Sequence, residues 1–100
     1  MAGTGEKGIW DMSNFTGMDI AAVRQLANQM TTKAGEIRTI MQQLTTALQS
    51  TQWVGPDRER FVGDWQSQHV TALNNVIQGL EAAAQNATRN AQEQETASNA

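Results

Sequence analysis

Apolar residues recur at alternating spacings of four and three along the first half of this chain. The repeat comprises Val23, Ala27, Met30, Ala34, Ile37, Met41, Leu44 and Leu48. An α-helix turns once in about 3.6 residues, so this spacing places all of them on one face, as in a helix that packs along another helix. The repeat predicts helix one over residues 17–50. Thr16 and Asp19 form a capping-box pattern at its start.

A second apolar stripe follows the single proline of the chain, Pro56. Its members are Val62, Trp65, His69, Leu73, Val76, Leu80, Ala83 and Ala87. Proline suits the first turn of a helix, because its missing N–H has no partner there. The stripe predicts helix two over residues 57–90, after a turn at residues 51–56. Residues 1–16 are Gly-rich and are expected to form an irregular N-terminal arm, whereas residues 91–100 carry only small and polar side chains, as in a flexible tail.

Two long helices joined by a short turn return antiparallel, as a helical hairpin. Each helix also carries a second apolar line, which predicts that a further protein surface covers it. These lines are Leu26, Ile40 and Ala47 on helix one, and Val70, Ile77, Ala84 and Ala91 on helix two. We therefore expect an all-α fold, a helix-turn-helix hairpin of two long antiparallel helices that dimerises into a four-helix bundle. Its predicted core and dimer interface comprise Met30, Ile37, Met41, Leu44, Leu48, Trp65, Leu73, Val76 and Leu80.

The composition argues against several classes of function. The chain has no Cys, which removes disulfides, thiolate metal sites and a nucleophilic thiol, and its single histidine, His69, has no second imidazole with which to share a metal ion. A net charge of -3 provides no general attraction for nucleic acid. No serine lies in a strand-to-helix elbow. We expect no enzymatic activity, cofactor, metal ion, nucleic-acid partner or small-molecule substrate.

Charged side chains are spaced for ion pairs within each helix. Lys33 and Glu36 are three residues apart, and Arg60 and Asp64 are four apart. Such pairs stabilise a solvated helix face by only a few tenths of a kcal/mol each. They predict ordinary helix surface rather than a binding site for an acidic partner.

The turn between the helices contains the segment TQWVGPDRERF, residues 51–61, with Trp53 two residues before Gly55. Two interpretations fit this placement. In the first, Gly55 supplies a tight backbone and Trp53 closes the open end of the hairpin, removing up to ~150–250 Å² of apolar surface from water. In the second, Trp53 stays partly exposed and is recognised by a partner. A large indole can also do both, because one face can pack while the other is presented.

A Trp-x-Gly turn near the middle of a Cys-free chain of 100 residues, between two amphipathic helices, resembles the WXG family of small type VII (ESX) secretion substrates, which are early-secreted-antigen-like proteins. Here the motif is Trp53-Val54-Gly55, followed by Phe61 and Trp65, and the resemblance extends from Met18 through the tail. It implies a protomer that dimerises into a four-helix bundle and is exported folded, without a cleaved signal. Such a protein is cytoplasmic before export and secreted or on the cell surface afterwards.

The resemblance also implies a bipartite export signal. In the family, the turn Trp and Gly of one protomer combine with a Tyr-x-x-x-Asp/Glu motif after helix two of the other, and a membrane-bound secretion ATPase receives the composite. This chain has no Tyr. Asn90 occupies the corresponding position, and Glu93, Gln94 and Glu95 lie near the acidic one. The tail is therefore either a variant signal in a homodimer, or the partner in a heterodimer is a similar small WXG-like protein that carries the Tyr. An indole without an aromatic neighbour forgoes roughly 0.5–1.5 kcal/mol of pairing, which favours the heterodimer.

Two alternatives to secretion remain. The first is a cytosolic dimeric helical adaptor or chaperone that never leaves the cell. The second is a secreted membrane-active effector that uses the apolar N-terminal residues Ile9, Trp10, Met12 and Phe15, although this segment lacks the cationic face typical of such binders.

Overall fold

Two helical rods lie side by side in the computed structural model, which describes residues 18–99. The first rod is α1 (Ile20–Ser50), and the second comprises α2 (Pro56–Asp64), a π segment (Trp65–His69) and α3 (Val70–Asn99) without a break. The described chain contains no strand and is 64 Å long. The predicted all-α hairpin of two long helices is thus confirmed. Thr16, together with the apolar residues Ile9, Trp10, Met12 and Phe15, lies outside the described residues.

Side-chain and backbone hydrogen bonds define both ends of α1. Asp19 is the N-cap, and its Oδ1 accepts a hydrogen bond from the Ala22 N–H at 3.0 Å. At the other end, the Thr51 N–H and Thr51 Oγ1 both donate to the Ala47 carbonyl oxygen, at 3.0 and 2.6 Å. These bonds satisfy polar groups that a helix terminus leaves without partners. The helix therefore begins at Ile20 rather than at residue 17, because Asp19 caps it.

The second rod begins at Pro56, as proline at a first helical position predicts. Gly55 is its N-cap, and the Gly55 carbonyl oxygen accepts hydrogen bonds from the N–H groups of Arg58 and Glu59, at 3.1 and 3.3 Å. Asp57 and Glu59 place carboxylates in the first turn, where the helix dipole favours negative charge.

The C-terminal part of the chain differs from its prediction. The sequence indicated a helix end at residue 90 and a flexible tail, whereas α3 continues to Asn99. Ala91 is fully buried. Across the hairpin, the Arg24 guanidinium contacts the Glu95 carboxylate at 2.8 Å and the Gln92 side-chain oxygen at 3.1 Å. The prediction was wrong because it considered composition, and composition does not reveal partners that are distant in sequence.

The buried core is small and consists mostly of alanine. It comprises Ala27, Ala34, Ile77, Ala84 and Ala91. On α3 these residues belong to the second apolar line, which the sequence assigned to an outer partner. That assignment is wrong, since Ile77 is only 1% exposed and Ala84 and Ala91 are also buried within the hairpin. The two lines on this helix are neighbours, so periodicity detects both without deciding which one faces α1.

Candidate functional site

The turn at the end of the hairpin presents an apolar tip. Trp53 is 37% exposed and Val54 is 96% exposed. The Trp53 indole packs against the Phe61 ring, with ring centroids 5.5 Å apart and planes inclined by 56°. This tilted geometry is one that aromatic pairs favour. The indole therefore buries one part against the hairpin and exposes another, which combines the two interpretations of its role in the sequence.

Glycine is needed at position 55 because of its backbone conformation, and not because a side chain would collide with neighbouring atoms. Its φ is 135° and its ψ is 174°, a conformation that residues with a side chain rarely adopt. No atom outside its chain neighbours lies within 4 Å of the position that a Cβ would take. Gly55 thus allows the chain to leave Trp53 and turn directly into Pro56.

The candidate tail signal lies far from the turn within one chain. Asn90 and Glu93 are exposed, and Gln94 is half-buried. At ~1.5 Å per residue, the helix from Pro56 to Asn90 separates tail and turn by roughly 50 Å. The structure therefore does not bring the two predicted halves of the signal together in a single protomer. A neighbouring hairpin of opposite orientation would place its tail beside this turn.

Arg24 holds the tail to the start of α1. Both Glu95 carboxylate oxygens accept hydrogen bonds from the Arg24 guanidinium, at 2.8 and 3.4 Å, in a bidentate arrangement. The hydrogen bond and then the positive charge of Arg24 lower the pKa of Glu95 below its usual value. The same hydrogen bond and the charge of Glu95 raise the pKa of Arg24.

The two broad sides of the hairpin differ in character. Arg24 pairs with Glu95, and Arg38 with Glu81 at 3.3 Å, so two ion pairs cross between the helices on one side. At about 100° per residue, the positions of Leu26, Ile40 and Leu44 on α1 lie on the opposite side from the two arginines, and Val76 on α3 lies opposite Glu81 and Gln92. Each of these four apolar side chains is about half exposed. We call the surface formed by Leu26, Ile40, Leu44 and Val76 the apolar face.

Most of the predicted interface residues lie between the helices or at the border of the apolar face. Leu44 and Val76 are exposed on it. The half-buried members are Met30, Ile37, Met41, Leu48, Trp65, Leu73 and Leu80. Except at Leu44, the seam of α1 therefore lies where its repeat predicts, while that of α3 is displaced toward Ile77.

The π segment is a feature that the sequence analysis missed. The Val70 N–H donates to the Trp65 carbonyl oxygen, five residues earlier instead of four. Trp65 Nε1 donates to Thr45 Oγ1 at 2.8 Å, and Thr45 Oγ1 donates in turn to the Met41 carbonyl oxygen at 2.8 Å. The two successive four-residue spacings from Trp65 to His69 to Leu73, which interrupt the alternation of the stripe, are a signal that could have revealed it.

Local charged pairs are partly as predicted. Lys33 contacts Glu36 at 3.1 Å, which confirms that pair. Arg60 contacts Asp57 at 3.6 Å instead of the predicted Asp64. Side chains on a helix lean toward its N-terminus, which brings the Arg60 guanidinium toward the preceding turn.

His69 is exposed, and its ring centroid lies 6.1 Å from that of Trp65. Within residues 18–99, no three His, Asp or Glu side chains group closely enough to hold a metal ion. None of the described helices combines the length and the apolar character needed to cross a membrane. The exposed features described above are an apolar tip, an apolar face and the tail side chains of Asn90 and Glu93.

Comparison of the chain with protein-family models, with curated proteins and with solved structures finds no match.

Proposed function

We propose that this chain is a non-enzymatic small substrate, or the co-exported partner of one, of a type VII (ESX-like) secretion system, exported folded as a helical dimer. The observation that carries the proposal is the tip of the hairpin. There Trp53 is 37% exposed beside Gly55, whose backbone conformation only glycine adopts readily. A large aromatic held in a fixed turn and left partly open to solvent is suited to recognition by a protein partner. The resemblance of Trp53-Val54-Gly55 to the WXG turn indicates which partner, a membrane-bound secretion ATPase.

The apolar face supports a dimer as the exported form. Leu26, Ile40, Leu44 and Val76 are each about half exposed on one side of the hairpin. A second hairpin packed on this side would remove these side chains from water and complete a four-helix bundle. If that hairpin is antiparallel to the first, its Asn90 and neighbouring tail residues lie beside Trp53. The dimer thereby assembles a composite signal that one chain cannot form alone.

The partner in this dimer is a second copy or a similar small WXG-like protein. The sequence favoured the heterodimer because Trp53 had no evident aromatic neighbour. Phe61 is such a neighbour, since its ring centroid lies 5.5 Å from that of Trp53. The argument for a Tyr-bearing partner therefore loses its basis, and a homodimer with a variant tail signal is equally compatible.

Replacing Trp53 tests the proposal directly. We expect Trp53→Ala to reduce export strongly, measured as the fraction of the chain in the medium of the producing cells. The loss of stability should stay well below the ~3–5 kcal/mol typical of truncating a buried aromatic, because part of the indole is already exposed. Gln52→Ala, an exposed change one residue away, is the control. Unchanged export in Trp53→Ala, or a parallel loss of export and melting temperature, would contradict the proposal.

The tail is best tested by substitution instead of deletion, since Ala91 and Glu95 take part in packing. Asn90 and Glu93 are exposed, so the double substitution Asn90→Ala/Glu93→Ala should leave helicity intact. We expect it to abolish export if the chain forms a homodimer with a variant signal. It should leave export intact if a heterologous partner carries the tail signal. Co-purification from the producing cells identifies the partner and must agree with the export result.

The apolar face equally supports a cytosolic dimeric adaptor or chaperone. This function requires the dimer but not the exposed indole. Cell fractionation separates the two proposals, because an adaptor stays in the cytosolic fraction of the cells that produce it. Retention of both the parent chain and Trp53→Ala in that fraction would favour the adaptor.

A further inference from the structure

The π segment changes which way the start of the second rod faces. An α-helix advances by about 100° per residue, and a turn closed by an i+5 hydrogen bond contains one additional residue. The Val70 N–H to Trp65 carbonyl bond closes such a turn. Relative to an uninterrupted α-helix, the residues of the second rod up to and including Trp65 are therefore rotated about its axis by the angle of roughly one residue, or ~100°.

This rotation brings two aromatic side chains toward α1 and the turn. In an uninterrupted α-helix, Phe61 would lie about 140° away from the inward direction marked by the buried Ala84, and Trp65 about 100° away. The additional residue reduces these angles to about 40° and close to zero. The contacts agree, since Trp65 Nε1 reaches Thr45 Oγ1 at 2.8 Å and the Phe61 ring lies 5.5 Å from that of Trp53.

Hydrogen bonds hold the π segment in place. The Thr45 hydroxyl accepts from the Trp65 indole and donates to the Met41 carbonyl oxygen, which connects the segment to α1. Within the second rod, Ser67 Oγ donates to the Gly63 carbonyl oxygen at 2.7 Å. Single π turns inside α-helices occur frequently at functional sites.

We propose that the π segment sets the rotation of α2 so that Phe61 acts as the positioning residue for Trp53. This inference rests on the proposed function, in which Trp53 is the residue that a partner recognises. Phe61 is 50% exposed, so it contributes little to the core of the hairpin. Its packing partner is the indole, and the pair holds the indole in one orientation at the tip.

The environment of Trp53 is the first measurement. The full chain is labelled with 5-fluorotryptophan, and the Trp53 resonance is assigned by its loss in Trp53→Phe. Phe61→Leu should move this ¹⁹F resonance toward that of free 5-fluorotryptophan while helical circular dichroism is retained. Phe61→Tyr keeps the ring and should restore the parent resonance. An unmoved Trp53 resonance in Phe61→Leu would overturn the positioning role.

Removing one residue tests the rotation itself. Deleting Gln68, an exposed residue inside the π segment, should convert the segment to regular α-helix. We expect helicity to persist and the Trp53 and Trp65 resonances both to shift, because Phe61 turns away from the Trp53 indole and Trp65 turns away from Thr45. Deleting Ala97, which lies beyond the Arg24–Glu95 pair and far from the turn, is the matched control and should move neither. If the Gln68 deletion leaves both resonances in place, the π segment does not set the rotation. Should this deletion fail to fold, the comparison of Phe61→Leu with Phe61→Tyr still decides the positioning role.

Export distinguishes this inference from the proposed function. If Trp53→Ala and Phe61→Leu both reduce export several-fold and Phe61→Tyr does not, both proposals are supported. If Trp53→Ala reduces export and Phe61→Leu does not, the positioning role is overturned and the proposed function stands. If neither variant affects export while the ¹⁹F shifts occur as expected, the proposed function is contradicted, but Phe61 still holds the orientation of Trp53.

Discussion

Trp53 and Gly55 lie two residues apart and contribute in different ways. The indole has a packing partner, Phe61, and a free surface, so its replacement changes what the tip presents. Gly55 has no side chain, and the position that a Cβ would take is open, but its φ of 135° determines the direction in which the chain enters the second rod. Trp53 provides an exposed aromatic surface, and Gly55 provides the backbone conformation of the turn.

Gly55→Val should destabilise the hairpin by about 1–3 kcal/mol, because a β-branched residue is strained at this φ. Thermal unfolding followed by circular dichroism measures the loss. Gly79→Ala is the matched control, since Gly79 lies in α3 with open space around its Cβ position, and it should stabilise the chain by up to ~1 kcal/mol. A Gly55→Val chain as stable as the parent would mean that the turn has another accessible conformation.

At the scale of elements, the structure shows why one helix was easier to predict than the other. The repeat of α1 alternates regularly, and its half-buried residues lie where that alternation places them. The second rod contains two adjacent apolar lines. It also contains a π segment, which shifts the helical repeat, so the apolar spacing before the segment does not predict the same face as the spacing after it. Its inner line at Ile77 was consequently assigned to the outside. The tail was missed for a different reason, since the partners of Glu95 and Ala91 lie on the other rod.

The bond between Arg24 and Glu95 makes the end of α3 sensitive to acid. Because the pKa of Glu95 is lower in the folded chain than in the unfolded chain, the contribution of the pair is complete above the usual glutamate pKa of about 4.3. It is lost as the pH falls through the lower folded value. We expect faster amide hydrogen exchange in residues 92–99 at pH 3 than at pH 6, after correction for intrinsic rates.

Arg24→Ala isolates the part of this effect that belongs to the pair, because other carboxylates titrate over the same range. In this variant the tail should exchange rapidly at both pH values, and the difference between them should shrink. Arg89→Ala removes an arginine whose guanidinium donates a hydrogen bond to the Asn86 side chain on its own helix, so it should behave as the parent. An undiminished pH difference in Arg24→Ala would assign the effect to other groups.

At the scale of the whole molecule, the hairpin has one side crossed by ion pairs and one side that is apolar. Five buried residues, four of them alanine, form a small core for a described length of 64 Å. Burial of apolar area is the main favourable term in folding, so a hairpin with this core gains substantially from covering the apolar face. The proposed dimer and the stability of the long helices are thus linked.

Val76→Asp should weaken this dimer, because it places a carboxylate on the apolar face where a partner would bury it at a cost of several kcal/mol. Light scattering at micromolar concentration should show a shift from dimer toward monomer, with helicity that falls on dilution. Gln85→Lys, an exposed change on the side of the ion pairs, should leave the assembly unchanged. A parent chain that is monodisperse and monomeric would contradict the proposed dimer.

The alanines between the rods affect the width of the folded protein. Small side chains allow two helix axes to approach closely, and the described hairpin is only 28 × 16 Å in cross-section. Its cross-section is therefore set by the width of two helices and stays the same however long the rods become. Viewed along its length, the described hairpin is therefore 28 Å broad and 16 Å thick. Replacing Ala34 or Ala84 with a larger residue would thus widen the particle as well as disturb its core, and the two effects would appear together.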